Sequence, residues 1–265
     1  MEIISDFLSH LRAGGASNAT IKTRRYYLNR ISQSVDLLTA TVQDLERFMS
    51  AHDWANETAR SVRSTLTTFY AWLYDTEQIA DNPAAKLPTI REKPARPHPL
   101  PESEYVKLLQ IIPDRWRLAV RLAGEAGLRR AEIARVSRND IFQDLLGWTI
   151  LVHGKGGKER VVPLNDSLAL ELRVHFRRNF WLYPARSSSG HITEDYLAKR
   201  VRAYLPPQWS MHSLRHRFAT IAYANTYDIR AVQELLGHSN LNTTQRYVAL
   251  QNDRLRAVAI SAAAA

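Results

Sequence analysis

Apolar residues recur every three or four positions through the first ninety residues, which is the pattern of amphipathic helices. The first helix is predicted to end at Gly14, and Asn18 is a candidate cap for the second. Thr41 is expected to cap a short third helix. Asn56 opens a long fourth helix, which we expect to run to the Asp-Asn-Pro stop signal at residues 81–83.

A proline-rich segment follows these helices. Four prolines fall between Pro94 and Pro101, which excludes a helix there and favours an extended spacer. The sequence therefore predicts a linker at residues 91–101. This linker would join a helical domain of residues 1–90 to a second domain of residues 102–265.

The second domain is predicted to be mostly helical with one β-hairpin. Residues 148–153 and 160–164 are rich in β-branched side chains and flank a glycine-rich turn at residues 154–158. A further strand is expected near residues 141–146. Helices are then expected at residues 166–180, 194–205, 212–225, 229–236 and 242–250, with a tail helix from residue 253.

The composition is that of an ordinary globular protein, with 45% hydrophobic and 23% charged residues among 265. There is no cysteine, which excludes a disulfide framework, a thiol nucleophile and a cysteine-based zinc site. No apolar run approaches the length of a membrane span, and the first residues lack the basic start of a signal peptide. We therefore expect a cytoplasmic protein.

The charge is divided unevenly along the chain, whose formal net charge is +10. Residues 1–92 carry 10 basic and 11 acidic side chains, whereas residues 93–265 carry 26 and 15. Of the basic residues 29 are arginine and 7 are lysine, and the guanidinium fork matches phosphate oxygens. This pattern favours a nucleic-acid partner, although a GC-rich genome would also enrich arginine.

Six residues in the second domain carry side chains that could together hold and attack one phosphate group. They are two arginines, one lysine, two histidines and one tyrosine: Arg129, Lys155, His212, Arg215, His238 and Tyr247. His212 and Arg215 are three residues apart, so they share one face of a helix. Taken singly, each has an ordinary alternative as a surface arginine, a turn lysine, a helix-cap histidine or a core tyrosine.

The segments around these residues resemble the signature of the tyrosine recombinases, the phage integrase superfamily. The family's Gly-Leu-Arg-x-x-Glu motif matches residues 127–132, and its hairpin lysine matches Lys155. Its His-x-x-Arg element is present, and residues 235–247 follow its pattern closely. Met211 and Val248 depart from the pattern, because many members have proline and threonine there. These departures affect the placement within the family and leave the chemistry in place.

The resemblance covers nearly the whole chain. It implies a mainly α fold with a small β-sheet: a SAM-like helical core-binding domain, then a tyrosine-recombinase catalytic domain with a C-terminal tail helix. The length implies a compact two-domain member without the arm-binding domain of the larger phage integrases.

The resemblance also implies a reaction, the cleavage and rejoining of DNA through a 3′-phosphotyrosyl intermediate. Tyr247 would be the nucleophile, and the two arginines of the set would hold the non-bridging oxygens. His212 would accept the tyrosine proton, Lys155 would protonate the leaving oxygen, and His238 would donate a hydrogen bond. No metal, ATP or other cofactor is implied. The roles of Lys158 and His216 stay open between support of the site and an ordinary surface position.

The partners implied are double-stranded DNA core sites and three further copies of the chain, in a homo-tetramer assembled on two sites. An Xer-type resolvase of chromosome or plasmid dimers is the alternative within the family. Two further alternatives are a type IB topoisomerase, which shares the tyrosine chemistry, and a catalytically silent DNA-binding module.

Overall fold

The computed structural model describes residues 2–92, 97–154 and 157–237. The chain divides into two compact units, one up to residue 95 and one from residue 96. This division falls within the proline-rich segment, and each unit has its own hydrophobic core. None of the helices in the described ranges has the length and apolarity that crossing a membrane requires.

Over residues 2–92, the first unit is a cluster of four helices and one 3₁₀ turn. The helices are α1 (Glu2–Ala13), α2 (Asn18–Ile31), α3 (Val42–Ser50) and α4 (Asn56–Asp75), and the 3₁₀ turn is Pro83–Lys86. Phe7, Leu28, Leu45 and Phe69 are fully buried and form the centre of the core. Four amphipathic stripes therefore meet in one interior, as their spacing predicts.

The helix ends are where the sequence-based expectations for this unit need correction. Thr41 caps α3 as predicted, in a reciprocal pair with the side chain of Asp44. The cap of α2 is Ser17, whose hydroxyl accepts from the backbone of the third residue on, and not Asn18.

The end of α4 also differs. This helix stops at Asp75 and does not reach residues 81–83. Glu77 adopts a left-handed backbone with φ of 56°, which an α-helix cannot contain. Asn82 caps the following 3₁₀ turn instead, through a hydrogen bond of 3.0 Å from the amide of Ala84.

In its described residues, the second unit packs seven α-helices and three strands around a larger core, in the chain order that follows. It consists of α5 (Glu102–Ile111), α6 (Asp114–Glu125), α7 (Arg130–Ala134), β1 (Ile141–Gln143), β2 (Trp148–His153), β3 (Glu159–Pro163), α8 (Asp166–Phe176), α9 (Glu194–Arg202), α10 (Met211–Thr226) and α11 (Ile229–Leu236). The three strands form an antiparallel sheet in the order β1-β2-β3. The mainly α fold with a small sheet is thus confirmed.

The predicted hairpin is confirmed, and its strands pair with His153 opposite Glu159. The amide of Gly154 donates to the carbonyl of Lys158 over 2.7 Å, which closes the base of the turn. Strand β1 is shorter than predicted, because the side chain of Asp144 accepts from two backbone amides and folds residues 144–147 into a turn.

Two helices of this unit end earlier than predicted, α8 at Phe176 and α9 at Arg202. The helix predicted at residues 242–250 and the tail helix from residue 253 lie outside the described residues.

Candidate active site

Arg129 lies at the N-terminal cap of α7, just after a tight turn that follows α6. Gly127 makes this turn with φ of +68°, a conformation that favours glycine. The amide of Arg129 donates to Oε2 of Glu132 over 2.7 Å, and its Nη1 donates to Oε1 over 2.8 Å. One carboxylate therefore fixes both the backbone and the side chain of Arg129, while 38% of that side chain remains exposed.

Glu132 is the buried anion of the site, with only 3% of its side chain exposed. Arg160 of β3 donates to both carboxylate oxygens, each over 2.8 Å, and Nη1 of Arg215 lies 3.9 Å from Oε2. Burial alone would favour the protonated acid. The hydrogen bonds and charge of Arg160, with those of Arg129, outweigh it and lower the pKa of Glu132 to about 2.

Arg215 is an almost completely buried arginine on the first turns of α10, with 1% of its side chain exposed. It donates to the carbonyl of Gly127 and, over 2.6 Å, to the carbonyl of Leu236. Ser210 caps α10 and accepts from the amide of His212 over 3.2 Å. The cap thus defines where α10 begins. The hydrogen bonds of Arg215 connect this first part of α10 to the turn before α7 and to the end of α11.

The C-terminal end of α11 is the point where three arginines meet. The carbonyls of Leu235, Leu236 and Gly237 accept from Arg160, Arg215 and Arg129 respectively. The last carbonyls of a helix lack partners within the helix and carry partial negative charge, so guanidinium groups stabilise them. In sequence, His238 follows this end directly.

A cleft of about 550 Å³ opens beside these residues, between the start of α7, α9 and the start of α10. The residues that line it are mainly basic or apolar, and they include Arg129, Arg130, Ala198, Lys199, Arg202, Met211, His212 and Arg215. Arg130 also forms a 3.4 Å ion pair with Asp195. The cleft is therefore suited to an anion and has the chemistry of a phosphate-binding site.

His212 faces this cleft, and its pKa is lowered from the ordinary value of 6.5. Partial burial of the ring is the main cause, and the charges of Arg215, Arg129 and Arg130 add to it. The imidazole is therefore neutral at neutral pH and can accept a proton. The ring of His216 lies edge-on beside it, with 4.2 Å between the ring centroids.

The structure thus brings three of the six candidate residues together at one cleft: Arg129, His212 and Arg215. The other three, Lys155, His238 and Tyr247, lie outside the described residues. Within the described ranges, no group of three or more histidine, aspartate and glutamate side chains is arranged to hold a metal ion.

Sequence reasoning missed Arg160, which makes three hydrogen bonds at the centre of the site. The available signal was its position in β3, five residues after Lys155 in the same hairpin. The sequence also left the role of Lys158 open. In the structure, the carbonyl of Lys158 accepts the hydrogen bond that closes the hairpin turn.

Comparison with known proteins places this arrangement in a family. The model of the phage integrase family matches residues 99–254. The tyrosine recombinase XerA of Thermococcus kodakarensis is 31% identical, over 96% of this chain and 93% of the relative. The tyrosine recombinase XerC of Chromobacterium violaceum is also 31% identical, over 97% of this chain and 93% of the relative.

Solved structures share the fold at lower identity. The recombinase XerH bound to difH in a post-cleavage complex superposes with a TM-score of 0.73 at 23% identity, over 92% of this chain and 80% of that one. A lambda integrase tetramer bound to a Holliday junction gives 0.75 at 17% identity, over 93% and 76%. The chain therefore belongs to the phage integrase family, and it is a tyrosine site-specific recombinase, an enzyme that cleaves and rejoins DNA.

Proposed function

We propose that Arg129, Lys155, His212, Arg215, His238 and Tyr247 form the catalytic set of this recombinase. The observation that carries the proposal is the convergence of Arg129, His212 and Arg215 on one basic cleft. Arg129 precedes the segment of His212 and Arg215 by more than 80 positions, and the two arginines lie beside one buried carboxylate. Such a cleft fits a phosphodiester and holds donors where charge develops during its cleavage.

In the proposed reaction, the phenol oxygen of Tyr247 attacks the scissile phosphorus. A tyrosyl O–P bond forms and the bond from phosphorus to the 5′-oxygen breaks, which leaves a 3′-phosphotyrosyl link and a 5′-hydroxyl. The 5′-hydroxyl of a partner strand then attacks the phosphotyrosine and restores the tyrosine. Because one phosphodiester replaces another, the strands are rejoined without an external energy source.

Two proton transfers accompany each cleavage. A tyrosine with an ordinary pKa of about 10 is ionised to roughly one part in a thousand at neutral pH, so a base is useful. Neutral His212 is the proposed acceptor, and its lowered pKa keeps it in the basic form. Lys155, in the glycine-rich hairpin turn, is the proposed donor to the 5′-oxygen, and His238 the proposed hydrogen-bond donor to the phosphate.

The proposed substrate is a pair of double-stranded DNA core sites in the cytoplasm. Exchange of strands between two duplexes requires four cleavages, so we propose that four copies of the chain assemble on the two sites. The lambda integrase tetramer on a Holliday junction, which shares the fold, supports this stoichiometry.

Covalent trapping on nicked core-site DNA tests the proposal. Wild-type protein should accumulate a denaturant-resistant adduct at a DNA 3′ end, and Tyr247→Phe should form none while binding DNA with unchanged affinity. The substitution removes one oxygen and leaves the ring, so packing is preserved.

Two other tyrosines of the second unit provide matched controls. Tyr223 is buried in α10, and Tyr227 is exposed at the cap of that helix. Tyr223→Phe and Tyr227→Phe should form the adduct at the wild-type rate. An adduct that survives in Tyr247→Phe and disappears in one of the controls would assign the nucleophile to that other tyrosine.

A second candidate function is the resolution of chromosome or plasmid dimers. The observation that favours it is the 31% identity with XerA and XerC over nearly the full length of each. A plasmid with two directly repeated copies of one core site distinguishes the two functions. Resolution into two circles by this chain alone supports dimer resolution, whereas recombination only between two different sites supports integration.

A further inference from the structure

Arg160 of β3 contacts two segments of the active site at once. Its Nη1 and Nη2 each donate to a different oxygen of Glu132 over 2.8 Å, in the paired geometry that only a guanidinium provides. Its Nε donates to the carbonyl of Leu235 over 2.7 Å. All three nitrogens of the side chain are therefore engaged by protein atoms.

The same side chain packs closely against the end of α11. A Cβ atom built on Gly237 would lie 3.0 Å from Cδ of Arg160 and 3.2 Å from its Nη1. A side chain here would displace Arg160 by a few tenths of an ångström, and Gly237 also has the positive φ, +62°, at which the helix ends. The side chain of Arg160 therefore lies against the residue that precedes His238 in the sequence.

We infer that Arg160 is a positioning residue, which sets the place of Arg129 through Glu132 and the place of the α11 end through Leu235. This inference rests on the proposed roles of Arg129 and His238. Arg160 also belongs to the hairpin whose turn carries Lys155, so one side chain connects three segments that each supply a proposed catalytic group.

The lining of the cleft separates this role from that of a DNA ligand, because it includes Arg129 and Arg215 and does not include Arg160. The Nε, Nη1 and Nη2 atoms of Arg160 all donate to a carboxylate or a carbonyl of the protein. This geometry is suited to holding Glu132 and the end of α11 in place.

Arg121 of α6 provides a matched control. Its side chain is 11% exposed, as is that of Arg160, and it donates from Nε and Nη2 to both oxygens of a carboxylate, Glu125, over 2.8 Å. The cleft residues do not include Arg121 or Glu125. A substitution of Arg121 therefore has a comparable structural cost and no expected effect on the active site.

The test measures single-turnover adduct formation by full-length protein on nicked core-site DNA at saturating concentration. Three quantities are compared for Arg160→Gln, Arg160→Lys and Arg121→Gln: the rate constant, the amplitude and the dissociation constant for DNA. A purely structural defect lowers the amplitude, because fewer molecules are folded. A positioning defect lowers the rate constant of the molecules that remain folded.

For Arg160→Gln we expect the rate constant to fall about 100-fold, the effect of roughly a 1 Å misplacement of a reacting group. The dissociation constant should stay within about twofold of wild type, because no phosphate contact is lost. The rate constant of Arg160→Lys should lie between those of wild type and Arg160→Gln, since an ammonium group keeps the charge and loses the paired hydrogen bonds of the guanidinium. Arg121→Gln should keep the wild-type rate constant.

A double variant tests whether Arg160 acts through Glu132. If the pair acts as a unit, Glu132→Gln and the double variant with Arg160→Gln should have similar rate constants, and the two effects should not multiply. Multiplicative effects would mean that Arg160 does not act through Glu132.

Two further results would overturn the inference. One is a wild-type rate constant in both Arg160 variants; the other is weaker DNA binding with an unchanged rate at saturation, which would make Arg160 a phosphate ligand. Arg129→Ala is measured in parallel. If it also retains the wild-type rate, the proposed catalytic set is wrong; if it is inactive while the Arg160 variants are not, only the role of Arg160 fails.

Discussion

The carbonyl oxygen of Gly127 accepts a hydrogen bond from Nη1 of Arg215, which lies 88 residues further along the chain. Gly127 has φ of +68°, a backbone conformation that favours glycine. A Cβ atom at this position would lie 2.4 Å from Cδ1 of Phe218, on the same helix as Arg215. One glycine thus sets the approach of α10 to the turn that precedes Arg129.

Gly127→Ala should therefore impair both folding and cleavage. A left-handed backbone costs an L-residue about 1–2 kcal/mol, and overpacking against Phe218 adds about 1–3 kcal/mol. Gly157→Ala is the control, because Gly157 has φ of +73° with no atom within 4 Å of the added carbon. Urea unfolding of the second unit should show a larger loss for Gly127→Ala, and equal losses would exclude the packing cost.

Glu132 should make stability fall in acid. Its pKa lies near 2 in the folded protein, below the ordinary 4.5, so its contribution is complete above pH 4.5 and is lost as pH falls towards 2. The shift corresponds to about 3 kcal/mol. In Glu132→Gln the free energy of unfolding should be lower at neutral pH, because buried guanidinium groups lose their anion.

The difference between wild type and Glu132→Gln should shrink as the pH is lowered below 4.5, because the carboxylate is protonated there in the unfolded chain and stays ionised in the folded protein until the pH nears 2. Urea titrations of both proteins at several pH values measure this. A difference that does not change with pH would show that Glu132 is not the titrating group.

His212 should titrate below its ordinary value. Because burial and three arginines lower its pKa from 6.5, the imidazole stays neutral as pH falls through 6.5 and gains its proton only at lower pH. If His212 is the base, the rate of adduct formation should stay constant as the pH falls towards that lower pKa, and it should decrease at pH values below it. The ring signals of His212 in NMR titrations and single-turnover rates at each pH measure the two quantities.

Arg130→Gln separates the causes of that shift. It removes one of the charges that lower the pKa of His212 and leaves Arg129 and Arg215 in place. The pKa should return part of the way to 6.5, and the fall in rate should begin at a correspondingly higher pH. A His212 ring signal that titrates at or above 6.5 in the wild type would contradict the assignment of His212 as a neutral base.

The elements of the fold could be predicted from the sequence, and their ends less well. Ser17 and Asn18 are both good capping residues, and only the backbone conformation decides which one accepts the hydrogen bond. The end of α4 depends on the left-handed conformation of Glu77, a residue type that gives no such signal in a sequence. Apolar spacing marks the face that a helix buries, and it does not mark where the backbone turns.

For the site, short motifs predicted the residues that the cleft brings together, Arg129, His212 and Arg215. The motif spacing did not reveal the pairing of Glu132 with Arg160, 28 residues apart, because it depends on how β3 lies against α7. Local patterns thus predict groups on one element. Contacts between elements need the folded chain.

DNA binding should weaken steeply with salt, because residues 93–265 carry 26 basic side chains against 15 acidic ones. With roughly 6–10 phosphate contacts, the slope of log affinity against log salt concentration should be about −5 to −9.

Lys199 lines the cleft, so Lys199→Gln should make this slope less steep by about 1. Lys107→Gln is the control, because Lys107 pairs with Glu104 over 2.8 Å on α5, and it should leave the slope unchanged. Fluorescence anisotropy on core-site DNA across a range of salt concentrations measures all three slopes. A wild-type slope shallower than about −2 would contradict a phosphate-dominated interface, and equal slopes for the two variants would show that Lys199 makes no phosphate contact of its own.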